Sequence, residues 1–554
     1  MLRSGICFLL CFAAIPLAQA DSTSDAAYEV DESVLRTAGI NTDTASLLQF
    51  IRERTLSDDE RRSLAQKIRQ LGDESFSRRV QASQDLIKAG RLAIPFLKQA
   101  LTDPDLEIAR RARRCLEAIE SGSELSTTLA AIRLLARADS KETAAVLLDY
   151  LPFAADEFLV EEIFDALKTV GIRDGKAVPA IVEKSQKGSP LVRAAALFVL
   201  GRSSFESDRL LCQSVLKEDN PMIRLRAAQG LLAGNDKSAI PVMIALLKES
   251  PLPIAYKAEE TLCRLAGEKA PAVSLGKGEP EDRDDCFNAW QNWWKQNSDI
   301  DLARLNNDQR TLGLTLVVAF DGYPGGGRVW EVFRNGKVRW QIDNLQGPID
   351  AQMLDNNRVL IAEHNARRLT ERDLKGNVLW EYVILNHQYP VAVQRLPNGN
   401  TFLATYNWIM ELTRDKKIVY QHQCSNAIIY SARKTRDNRI VYVSSNNSLL
   451  ILNEKGDVLR TVPTANNGWA DVALVAGSRF LVTQSREDKV VELDQNGKTV
   501  AEYRVANANA VYRLPNGNIL VGSHQSRNIV EVNRDGDKVW ELKLEGRPFS
   551  VRWR

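Results

Sequence analysis

Apolar positions follow two different rhythms in the two halves of the chain. From about residue 73 to residue 268 they recur at spacings of three and four with short breaks between runs, which predicts one helix after another. Just ahead, Ser57-Asp58-Asp59-Glu60 has capping-box spacing and predicts a helix start before Leu64, Ile68 and Leu71. A proline-led beat then repeats. Ser189-Pro190-Leu191-Val192-Arg193-Ala194-Ala195 matches Asn220-Pro221-Met222-Ile223-Arg224, Pro251 opens a further copy, and Ile94-Pro95-Phe96-Leu97 with Asp103-Pro104 opens an earlier one. Proline is tolerated in a first helical turn, so each of these marks a helix start. From Ser123 to Gly171 the helical spacing continues without the matching proline.

Beyond residue 312 the period drops to two. A strand ending in apolar-x-Glu meets an acidic or amide turn and then a strand like Lys-Val-x-Trp, and the glutamate position recurs at Glu331, Glu371, Glu411, Ile451, Glu492 and Glu531. A beat of about forty residues predicts four-stranded propeller blades. Gly336, Gly376, Gly456, Gly497 and Gly536 fall in the turn, where a type I turn with a glycine bulge needs them, and Lys416 stands there in the third unit. The first unit, from Thr315, lacks an inner strand, while residues 546–554 match one. The expectation is a ring of six blades closed by the C-terminal strand. Aligned by their turns, the inner strands place Asp350, Ala392, Ser431, Ala470, Ala510 and Ser550 in register around the axis.

The expected fold class is therefore multidomain α plus β, an N-terminal α-solenoid followed by a six-bladed β-propeller. The divisions are a flexible lead-in over 21–44, the solenoid over 45–268, a linker with a Trp-rich helix over 269–312 and the propeller over 313–554. In that linker Trp290, Trp293 and Trp294 share one helical face, suited to packing the last solenoid helix and bracing the propeller.

Residues 1–20 change the compartment. Arg3, the apolar run from Ile6 to Leu17 and Ala18-Gln19-Ala20 make a secretory signal with cleavage before Asp21, so the expectation is an exported protein, periplasmic or extracellular. No later apolar run reaches the length of a membrane span. Lys plus Arg number 73 against 71 acidic residues, a formal charge of +2, which offers no electrostatic footprint for nucleic acid or a membrane surface. Of the seven cysteines, Cys115, Cys212, Cys263, Cys286 and Cys424 follow the signal; three lie in helical apolar patterns, and they read as inert core thiols.

The proline-led helical units resemble HEAT-like repeats of about thirty residues. Leu396-Pro397-Asn398-Gly399-Asn400-Thr401-Phe402-Leu403 and Leu514-Pro515-Asn516-Gly517-Asn518 resemble blades of bacterial arylsulfotransferases, which are six-bladed propellers with a channel histidine. Asp373-Leu374-Lys375-Gly376-Asn377-Val378-Leu379-Trp380 and Asp535-Gly536-Asp537-Lys538-Val539-Trp540 resemble repeats of pyrroloquinoline-quinone enzymes and their non-enzymatic scaffold relatives. These motifs make blades; no catalytic residue of either family maps onto a position here.

Candidate chemistry lies between the beats. The looser propeller face, formed by the second-to-third-strand and blade-to-blade loops, collects Asn365, Tyr406, Asn407, Trp469, Gln484 and Arg486, with His387, Asn426, Asn466 and Asn467 further round. Amides and aromatics suit a neutral polar ligand such as a sugar or peptide; asparagine is also common in loops for its turn propensity alone. His364 and His524 each precede a blade glutamate by seven residues and should occupy equivalent loops. They are candidate general bases or metal ligands, or simple surface histidines. Arg334, Arg414 and Arg534, three residues past their glutamates, suggest turn-linked ion pairs. The reading is an exported, non-enzymatic binding or scaffold protein for protein or glycan partners, with no cofactor, no metal and no nucleic acid. The alternative is an arylsulfotransferase-type enzyme using His364 or His524.

Overall fold

The structure is a computed structural model. It describes residues 22–554 apart from 120–123, 139, 155–156, 272, 277, 303–311, 322–325, 355–356, 387, 425–426, 436–437, 466–467, 476–478, 495 and 515. The signal segment, His387, Asn426, Asn466 and Asn467 lie outside the described residues.

Sixteen α-helices, among the described residues, precede the propeller. Ser57 and Glu60 form the reciprocal capping box, and Pro190 and Pro221 open the helices Pro190–Leu200 and Pro221–Ala233. These two pack backbone to backbone: a Cβ at Gly201 would lie 2.5 Å from the Leu231 nitrogen, so only glycine fits. The segment read as a flexible lead-in is helical over Ser22–Thr37. It is held because Leu35 is fully buried and Asp31 pairs with Arg133 at 3.1 Å.

Six four-stranded antiparallel sheets follow. Blade 1 combines 314–345 with the closing strand Pro548–Trp553, whose Val551 pairs with Val317. Blades 2 to 6 span 348–383, 390–423, 429–463, 472–504 and 508–543. At Lys416 the chain adopts φ +67° where the other units have glycine, a left-handed conformation that strains a side-chain-bearing residue. In blade 5 the axial register differs from the expectation by one residue. Thr483 N–H bonds Asp471 O at 3.1 Å, as the ladder does at Ala392, so Asp471 rather than Ala470 occupies the ring position. The cause is the turn: counted from the paired residues Leu474 and Phe480, its glycine falls one position earlier than Gly399 does after Arg395.

The boundary between helices and propeller is filled. One continuous apolar core runs from the helices, including Trp290 and Trp293, into blade 1 at Leu316, Val329 and Trp340 and blade 2 at Val359 and Ile361. Trp294 stays partly exposed against it. Charge is buried there too. Arg339 of blade 1 donates to Glu259 of helix Leu252–Ala266 at 2.8 and 3.0 Å and to Glu331 at 2.7 Å, and all three side chains are essentially inaccessible. Arg554 adds bonds to Glu331 at 2.8 Å and Glu260 at 3.2 Å. Burial raises the Glu331 carboxyl, but Arg554 and Arg339 outweigh it and hold it below the usual range. The blade glutamate thus also fastens the two halves together. The five cysteines among the described residues are free and buried, and burial pushes the Cys424 thiol to about 11 and Cys212 to about 12.

Candidate functional site

At the propeller axis the ring reads Asp350, Ala392, Ser431, Asp471, Ala510, Ser550, an Asp-Ala-Ser triplet given twice. Its bonds repeat with the same three-blade period. Ser550 donates to Asp350 at 2.9 Å and Ser431 to Asp471 at 2.6 Å; the next blade's backbone donates to each carboxylate, Val393 N at 3.0 Å and Val511 N at 3.1 Å. Arg552 and Arg433, each two residues past the ring serine, bond Asp350 at 2.9 and 3.1 Å. Arg433 also pairs with Asp471 at 3.5 Å. The two carboxylates differ accordingly. Burial raises Asp350, but Arg433 and Arg552 outweigh it and keep it below the ordinary range; burial dominates at Asp471 and pushes it up. Sequence reading missed this network because the off-by-one register hid the second aspartate. The three-blade recurrence of Asp, Ser and Arg was the signal.

Above this network, on the looser face, aromatic rings form an unbroken chain. His364 stacks on Tyr389 at 4.9 Å and meets Tyr406 edge-on at 5.3 Å; Tyr406 meets Trp469 at 6.4 Å. Trp469 touches Tyr430 at 5.5 Å and Phe549 at 6.4 Å, and Phe549 meets His524 at 5.0 Å. Every ring in the chain is half-buried. Trp469, Tyr430 and Phe549 also border the axial hollow that ends on Asp350 and Asp471. Three of the sequence candidates, His364, Tyr406 and Trp469, are therefore brought together, and His524 joins them through Phe549. Tyr430 and Phe549 were not recognised, since their place on the axial side follows from the inner-strand register.

His364 and His524 do occupy equivalent loops. The His364 ring donates from Nδ1 to the Pro390 carbonyl at 2.9 Å, and the His524 ring bonds the matching carbonyl of Pro548. The Tyr406 hydroxyl donates to His364 Nε2 at 3.2 Å, which makes the Nδ1–H tautomer the one that satisfies both bonds. Burial lowers the pKa of both imidazoles, assisted at His524 by Arg547, so both are neutral at pH 7.

The polar candidates are spread round the rim. Asn365 and Asn407 are exposed, and the Asn407 carbonyl accepts from Cys424 N at 2.8 Å. Arg486 is exposed beside Gly468, while Gln484 is buried with its Oε1 unbonded. The expected turn-linked ion pairs take a different form: Arg334 reaches Glu531 at 2.6 Å and Arg414 reaches Glu371, each crossing to the preceding blade. The turn between outer strands overhangs the neighbouring blade, so its arginine meets that blade's glutamate first.

Among the described residues no group of three or more His, Cys, Asp or Glu is placed to hold a metal ion, and no helix is long and apolar enough to cross a membrane. No protein-family model matches the chain. No curated protein matches it either. Solved structures similar to it include a protein of unknown function from Bacteroides caccae, at 14% identity over 43% of this chain and 97% of that one with a TM-score of 0.37. Virginiamycin B lyase from Staphylococcus aureus is similar at 15% identity over 37% and 73%, TM-score 0.32. The WD40 β-propeller domain of Doa1 is similar at 16% identity over 43% and 90%, TM-score 0.34.

Proposed function

We propose that this is an exported, non-enzymatic binding protein whose looser propeller face receives a neutral polar ligand with flat apolar faces, a glycan or a peptide. The observation that carries the reading is the aromatic chain from His364 through Tyr406 and Trp469 to Phe549 and His524. Half-buried rings offer stacking surface, and the exposed amides of Asn365 and Asn407 at the rim supply donors and acceptors. Neutral imidazoles add no charge to the aromatic chain. An imidazole acting as base or nucleophile needs a free nitrogen toward its substrate, and both nitrogens of His364 are engaged. This favours binding over the arylsulfotransferase-type reading. The helical half, fastened through Glu259 and Arg339, supplies a second surface for partners.

A glycan and peptide binding screen tests the reading, with the double variant Trp469→Ala, Tyr406→Ala expected to lose at least about tenfold in affinity, as for a truncated aromatic anchor. Unchanged binding overturns it. Turnover of an aryl sulfate donor and phenolic acceptor that His364→Ala or His524→Ala abolishes would replace it with the enzymatic one. Export is tested by cell fractionation with and without residues 1–20.

A further inference from the structure

The tight-turn face carries a second candidate site. Where blade 2 meets blade 3, Glu371 bonds Arg358 at 2.6 Å, Arg395 at 3.0 Å and Arg414, while the Trp380 indole lies 5.9 Å from the Arg414 guanidinium and donates to its carbonyl at 2.9 Å. The seam between blades 6 and 1 repeats this with Glu531, Trp540 and Arg334. The seam between blades 5 and 6 is three blades from the first and begins the same way: Glu492 bonds Arg479 at 2.8 Å and also Arg513. Then it departs. The residue paired with Glu492 across the outer strands is Ala501, where Glu371 faces Trp380 and Glu531 faces Trp540. Arg534, the counterpart of Arg414, has no carboxylate partner among the described residues and lies over Gly517.

A cavity of about 860 Å³ occupies this seam and reaches the axis. Ala501, Val500, Val472 and Val511 give it apolar walls, and Arg433, Arg479, Arg513, Arg534 and Arg552 line it. With Glu492 and the axial Asp350 and Asp471 all counted, five guanidiniums face three carboxylates. Helix Glu124–Arg137 covers the corresponding place at the other seam, where Leu125 crowds Gly399 and Arg133 bonds Pro397 O. Among the described residues, none from the helices lines the blade 5–6 cavity.

We propose that this cavity binds a flat aromatic ring bearing a carboxylate, the ring taking the place of the missing indole and the carboxylate engaging Arg534. The ring would recover the stacking that Trp380 gives Arg414, and the carboxylate the bidentate bonding that a guanidinium offers. Such a group comes either from a small aromatic acid or from a polypeptide ending in an aromatic residue. The site lies on the opposite face from the aromatic chain and stands independently of it.

Calorimetric titration of the full chain with indole-3-acetate, acetate, a peptide ending in tryptophan with a free carboxylate, and the same peptide amidated tests the proposal. Saturable binding of indole-3-acetate or the free-carboxylate peptide is expected, and whichever is tighter identifies the source. Arg534→Gln should weaken it at least about tenfold, on the scale of a charge-assisted hydrogen bond. Ala501→Trp should abolish it while raising Tm by about 2–4 °C, and Arg414→Gln should leave affinity within about twofold. No saturable binding by either probe, equal affinity for acetate or the amidated peptide, or affinity unchanged in Arg534→Gln overturns the proposal.

Discussion

The seam between blades 2 and 3 and the seam between blades 5 and 6 share a strand register, a buried glutamate and two arginines from the same positions. One is closed and the other open. Trp380 fills the first and orients Arg414 onto Glu371, whereas Ala501 leaves the second hollow and Arg534 without a carboxylate. The lesson is that the glutamate and its first two arginines build the seam, and the indole decides whether the third arginine is used up in it.

The largest test concerns what fastens the helices beside the closed seam. Arg339→Met strips buried Glu259 of its guanidinium and leaves Glu331 with the Arg554 guanidinium alone, and a loss of about 3–5 kcal/mol is expected for breaking a buried charge network from one side; urea unfolding measures it, and a loss under about 1 kcal/mol would mean that the apolar core alone holds the halves together. Next, Trp380→Ala should convert the closed seam toward the open one at about 3–4 kcal/mol, the usual range for a truncated core indole. If the cost is small, Trp380 is not what closes that seam.

Arg414→Gln should cost about 1–2 kcal/mol, since it removes a charged hydrogen bond to a buried acceptor, and Arg534→Gln should fall within about 0.5 kcal/mol, as for an exposed side chain away from such features. Equal costs would erase the distinction between the seams.

The last test is at the axis, where the two aspartates shift in opposite directions. Asp350 has a depressed folded pKa, so its contribution is present above the unfolded value near pH 4 and is lost as pH falls through the folded value. Asp471 is raised, so its contribution is present below the unfolded value and is lost as pH rises through the folded one. Stability-against-pH curves of Asp350→Asn and Asp471→Asn should therefore diverge from the parent in opposite directions, the first below and the second above about pH 4. Parallel curves would mean that the two aspartates are equivalent.

Much of the architecture was legible in the chain because local chemistry encodes it. Proline-led helix starts, the capping box at Ser57, the glycine turns and the closing strand at 548–553 each reflect a backbone requirement met within a few residues. The equivalence of His364 and His524 was legible for the same reason, since a repeat places its residues alike. What pairs with what was less accessible. The glycine one position early in its turn hid Asp471, Arg334 and Arg414 crossed from their outer turns to the preceding blade, and Ser22–Thr37 is held through Leu35 and Arg133, which is distant in the chain.

By itself the sequence determined the number of blades, the helical half, the ring closure and the recurring glutamate of five of the six units, because periodicity and turn chemistry are properties of short segments. Only the tertiary structure decided that the two halves share one core around Arg339, that rings from four separate segments of the chain meet at Trp469, and that Arg534 faces a hollow left by Ala501. Those outcomes depend on contacts between residues far apart in the chain, where packing and buried charge select the partners.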